Sequence, residues 1–231
     1  MLMIQKDLSN YIISEFSDYL ESISLLSKST EGKVLVEDER ELYNFDKITE
    51  KVYNNIKVPS SADALLITDK ELLLTEFKSG FKRKISKETI DYSRLTCPDD
   101  NMKICKDYAK LLIDKGKLET RELLDSLKFK AIESFVTLEK KLFPLCEGDL
   151  SGNKRVKITF CVVVDDYIDS MEDTLAELAN KPSVSNTLCD VKSSLSRFTG
   201  LKTPDGMDYF YDEIKVFSPY EFRQYINRFV A

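Results

Sequence analysis

Residues 61–84 read SADALLITDKELLLTEFKSGFKRK. Two apolar runs, 62–67 and 72–78, flank the polar tetrad 68–71. Apolar runs of four to eight residues bounded by turn residues are strand signals, so the stretch predicts a β-hairpin. Side chains alternate across a strand, which puts Glu76 and Lys78 on one side and Phe77 on the other. Closing the hairpin at 68–71 brings its open ends together, with Asp63 on one strand and Glu76 and Lys78 on the other. Two carboxylates and an amine therefore meet at one end of an apolar ribbon. Burying charge in this way is costly unless the groups pair or hold a metal ion.

Working outward, residues 54–60 form a polar loop into the hairpin, and the 37–56 pattern predicts a helix with Glu41, Phe45, Ile48 and Val52 on one face. Residues 33–36 form a short apolar run after Gly32 and suggest a strand. Residues 3–27 predict an amphipathic helix, since Ile4, Leu8, Ile12, Phe16, Tyr19 and Ile23 recur at three- and four-residue steps. Its apolar face is a packing surface for the core or for a second copy of the chain.

On the other side of the hairpin, residues 78–94 carry six basic and two acidic side chains, with Phe81 and Tyr92 interleaved. Lys82, Arg83, Lys84 and Lys87 leave the strand beside the carboxylates, where a bound polyanion would lie. Two helices are expected next, at 101–116 and 119–143, with Gly116 between them as a C-cap. Residues 156–164 predict a buried strand ending in Asp165 and Asp166. Helices at 170–180 and 187–198, a strand at 213–217, and a terminal helix capped by Ser218 with Glu221 three residues on complete the reading.

The spacing Asp63-x12-Glu76-x-Lys78 resembles the signature of the PD-(D/E)XK nuclease superfamily, the restriction-endonuclease-like fold. The usual proline before the aspartate is absent; Pro59 stands four residues upstream. The resemblance implies an α/β fold with an αβββαβ core around a mixed central sheet and additional helices. It implies Mg²⁺ or Mn²⁺ held by Asp63, Glu76 and the main-chain carbonyl of Phe77, with Lys78 beside the attacking water. Hard oxygen ligands and a metal that keeps several waters suit such a carboxylate pair. In the superfamily an acidic residue from a helix ahead of the hairpin often joins the site. Glu41 is the candidate for that role and Glu37 its reserve. The expected activity is nucleic-acid cleavage, of DNA before RNA, in defence, repair or mobile-element biology.

Two other readings stand beside it. One is a module of the same fold that binds nucleic acid or a protein partner without cutting. The other starts from Val34-Leu35-Val36-Glu37 and Val164-Asp165-Asp166, which resemble the TOPRIM pattern of topoisomerases and related nucleases.

Composition bounds these readings. The chain has 231 residues, 42% apolar and 32% charged, which suits one α/β domain with a helical insertion at about 99–145. A net charge of −6 means that any nucleic-acid contact comes from a local patch. The chain has no histidine, which excludes His-based acid–base chemistry and His-containing zinc sites. Cys97, Cys105, Cys146, Cys161 and Cys189 show no ligand spacing and read as reduced cysteines of a cytoplasmic protein. No signal peptide and no membrane-length apolar run is expected.

Overall fold

The computed structural model describes residues 2–54, 56–68, 71–80, 103–145, 157–165, 191–196 and 210–229. The described elements, in chain order, are α1 (Leu2–Phe16), β1 (Leu20–Ser22), α2 (Ile23–Leu26), β2 (Glu41–Asn44), α3 (Phe45–Val52), β3 (Ala64–Ile67), β4 (Glu71–Lys78), α4 (Lys103–Thr137), β5 (Lys157–Val164), β6 (Glu213–Phe217) and α5 (Pro219–Ile226). The strands form one open six-stranded sheet in the order β1-β2-β3-β4-β5-β6. β1 to β4 pair antiparallel, and β4, β5 and β6 pair parallel, so the fold is α/β with a mixed sheet. Parallel neighbours need a crossover connection, and α4 lies in the one between β4 and β5.

The expected hairpin is present, with Ala64 opposite Thr75 and Ile67 opposite Leu72. β4 is buried along nearly all its length, since it has a strand on each side and a layer on each face. Its even-numbered residues face one apolar layer. There Leu72 and Leu74 meet Leu8, Ile12 and Phe16 of α1 and Leu127, Ala131 and Phe135 of α4. Its odd-numbered residues Leu73 and Phe77 face a second layer with Ile23, Val36, Phe222 and Ile226. Burying each such side chain contributes roughly 1.5–3 kcal/mol.

Several expectations are corrected. The helix expected at 3–27 ends at Phe16, and a short 3₁₀ turn, strand β1 and helix α2 follow. Serines account for the change: Ser22 accepts from Leu25 N at 3.3 Å and so starts a new helix, and Ser24 bonds the Asp38 backbone in both directions. Leu8, Ile12 and Phe16 of α1 pack into the core on the sheet. Residues 33–36 form no sheet strand, only an isolated bridge between Lys28 and Val34.

The helix expected at 37–56 is split. Residues 41–44 become β2, and Asn44 caps α3 by accepting from Lys47 N at 3.0 Å. Phe45 and Ile48 face the core as expected, but Glu41 lies in a strand and is exposed.

The two helices expected within 101–143 are one continuous helix through Gly116, extended by a π-turn at Leu138–Leu142. One interior glycine costs about 1 kcal/mol, too little to end so long a helix. This helix supplies Leu127, Ala131, Phe135 and Leu138 to the core. The strands at 157–164 and 213–217 and the capping box of α5, Ser218 with Glu221, are as expected. The expected helix at 170–180 and most of that at 187–198 lie outside the described residues; 191–196 are helical. Among the described residues no helix is long and apolar enough to cross a membrane.

Candidate functional site

Asp63 directly precedes β3, and the hairpin register continued by one step sets it opposite Glu76. Opposed residues of an antiparallel pair share a face. Three further contacts fix Asp63. Its carbonyl accepts from Phe45 N at 3.1 Å, and its Oδ2 accepts from Phe77 N at 2.6 Å. Its Oδ1 accepts from the Lys130 ammonium at 3.2 Å.

Lys130 also donates to Glu76 Oε2 at 2.9 Å, so one nitrogen touches both carboxylates. On the other side, Lys78 stands 2.8 Å from Glu76 Oε1. Lys78 thus pairs with Glu76 Oε1 as Lys130 pairs with Oε2. Glu76 has no exposed surface, whereas the side chains of Asp63, Lys78 and Lys130 keep about a fifth of theirs.

Helix α4 sets the entry to this cluster with one face. Lys130, Glu133 and Ser134 follow the three- and four-residue steps that align side chains. Glu133 accepts from Ser60 N at 2.6 Å and Ser134 from Ala62 N at 2.8 Å. The chain is thus held at Ser60, Ala62 and Asp63 as it enters β3. Tyr211 fastens the same helix from behind by donating to the Ala131 carbonyl at 2.5 Å.

Phe77 divides its loyalties. Its ring packs on the opposite face, edge-on to Phe222 at 5.5 Å. Its N–H points to Asp63, and because a residue's N–H and C=O project to the same neighbouring strand, its carbonyl faces that way too. Lys78 O instead faces β5, accepting from Asp165 N at 3.3 Å.

Burial pushes the Glu76 carboxyl up to about 7, reinforced by the charge of Asp63 and opposed by Lys130 and Lys78. Burial works against the Lys130 charge, but Glu76 and Asp63 outweigh it and raise its affinity for the proton. Asp46, in the first turn of α3, is a third carboxylate in the field of Lys130 and Asp63. Burial raises its pKa, and Ser61 Oγ donates to its Oδ1.

The expected residues therefore divide. Asp63, Glu76 and Lys78 gather on one face at one end of β3 and β4. Glu41 does not join them. It follows the β2–β3 register to the Ile67 end of β3, four residues and about 13 Å from Asp63. Glu37 is exposed in a loop. Asp165 is engaged at the end of β5, where Gly80 N donates to its Oδ2 at 2.5 Å and supports a turn with Gly80 at φ +70°. Lys82, Arg83, Lys84, Lys87 and Asp166 lie outside the described residues.

Sequence reasoning missed Lys130 and Asp46. Lys130 left a signal: it stands three residues after Leu127 and four before Ser134, a cation on the buried stripe of a helix. Asp46 left a weaker one, an acid immediately inside a helix that Asn44 caps.

No family model matches this chain, and neither the curated proteins nor the solved structures contain a match.

Proposed function

We propose that this chain is a metal-dependent nuclease of the PD-(D/E)XK type, acting on DNA in preference to RNA. One observation carries the reading: the carboxylates of Asp63 and Glu76 converge within 3.2 Å of a single point, with the Lys78 amine on the same face. The observed order α1, β1, α2, β2, α3, β3, β4, α4, β5 contains the αβββαβ series only with β1, α2 and α3 interposed, so the reading rests on the side-chain cluster.

The donor set suits a hard divalent cation in type and convergence: two carboxylates, with the Phe77 carbonyl facing the same side. Groups of three or more acidic, cysteine or histidine ligands are absent among the described residues, so water and phosphate would complete any shell. When bound, Mg²⁺ or Mn²⁺ lowers the pKa of a coordinated water and offsets charge on the phosphate. Lys78 orients the attacking water and stabilises the charge that develops on the phosphoryl oxygens. The buried wall around Glu76 keeps bulk water from screening these charges.

The test is incubation of the purified protein with linear, circular and single-stranded DNA and with RNA in Mg²⁺ or Mn²⁺, beside Lys78→Ala. Cleavage is expected, and EDTA and the substitution should each abolish it. No cleavage, or cleavage indifferent to Lys78→Ala, defeats the reading.

A second reading has its own support. Lys130 already fills the point the carboxylates share, which favours a module that binds nucleic acid or a protein partner without cutting. That reading expects gel-shift retention of nucleic acid with no metal-stimulated products.

A further inference from the structure

We propose that Lys130 is a resident counter-ion that a divalent cation must displace, so that this one side chain sets the metal affinity of the site. The inference rests on the nuclease reading only for where the metal goes, namely between Asp63 and Glu76.

The argument begins with space. The ammonium lies 3.2 Å from Asp63 Oδ1 and 2.9 Å from Glu76 Oε2. Mg²⁺ would lie about 2.0–2.1 Å from each oxygen it binds, in the same gap. An ammonium and a metal ion cannot share that gap.

Charge gives the second step. Asp46, Asp63 and Glu76 face two ammoniums, Lys78 and Lys130. The cluster thus carries one negative charge more than its lysines offset when all three acids are ionised. Exchanging the single charge of Lys130 for the double charge of a metal ion closes that deficit.

Mobility gives the third. Lys130 keeps 20% of its side-chain surface exposed and rides a flexible four-carbon stem. Part of the side chain is therefore open to solvent with α4 in place. Glu76 and Asp63 have no such freedom, because strand pairing and the Phe77 N–H hold them. The lysine therefore leaves and the carboxylates stay.

The test measures Mn²⁺ binding by calorimetry, and the Mn²⁺-induced rise in unfolding temperature, for the wild type, Lys130→Met, Lys130→Gln and Lys130→Met/Glu76→Gln. Lys130→Met should bind Mn²⁺ at least tenfold tighter than the wild type and show the larger temperature rise. Lys130→Gln, which keeps a donor for the carboxylates, should bind more tightly than the wild type and carries the test if Lys130→Met does not fold. The double variant should lose the gain. Binding no tighter in the folded Lys130 variants, or a gain that survives loss of Glu76, overturns the inference.

Nuclease assays on the same samples separate the two claims. Wild-type cleavage without tighter binding in the variants sinks the counter-ion role alone. Tighter binding without cleavage of any nucleic acid sinks the nuclease reading alone.

Discussion

Glu76 is a carboxylate with no exposed surface, set between two ammoniums and opposite a second carboxylate. Its proton affinity sets a pH dependence of stability. In the fold it holds its proton to about pH 7, against 4.5 for the free side chain. Between these values the folded chain binds a proton that the unfolded chain has released. Its contribution is therefore greatest below about pH 4.5 and declines as pH rises to 7, by up to about 3 kcal/mol. Urea midpoints of the wild type should fall over that window, while Glu76→Gln should show a flatter profile. An equal slope in the variant would remove Glu76 as the cause. The same residue shows what was legible in the sequence. Asp63, Glu76 and Lys78 were readable because strand alternation and hairpin closure are local rules. Lys130 showed only as a cation on the buried stripe of a helix, and the docking of α4 on the sheet is what brings it to them. Glu41 misled for a related reason: its helical spacing with Phe45 and Ile48 is real, but the helix begins after it, at the Asn44 cap.

At the scale of elements, β3, β4 and β5 were plain from apolar runs, and α5 from its cap. The failures cluster at 17–44, where serine and asparagine side chains bond nearby backbone and cut the helical periodicity. α4 is the element on which the site depends most, and its seating rests partly on Tyr211. The Tyr211 hydroxyl is fully buried and donates to Ala131, one residue from Lys130. Tyr211→Phe removes a buried hydrogen bond to a carbonyl that also belongs to the helix ladder and should cost about 0.5–1.5 kcal/mol in a denaturant titration. A change within a few tenths would mean that the ring alone seats the helix, through its packing on Phe135 and Phe160.

Across the whole molecule, the sheet separates two apolar layers, and the charged cluster sits at the rim of the layer that α1 and α4 build. The site is therefore no more stable than the packing of α4 on that layer. Native-state hydrogen exchange should report this directly. The amide of Ala62 is held by Ser134 on α4, and that of Phe77 by Asp63, which Lys130 holds in turn. Both should exchange with the free energy of α4 itself, and Lys130→Met should lower their protection together. Independent exchange of the two amides would show that the hairpin holds the site without the helix.

Lys130 follows Asp63 by 67 residues and Glu76 by 54. At ordinary rates of translation the ribosome delivers it roughly three to eleven seconds after the later of the two acids. Through that interval the nascent hairpin has only Lys78, which serves Glu76, and the acid pair stands unguarded. On the proposed displacement, an ion met in that interval would have no Lys130 to compete with, whereas one met by the finished protein would.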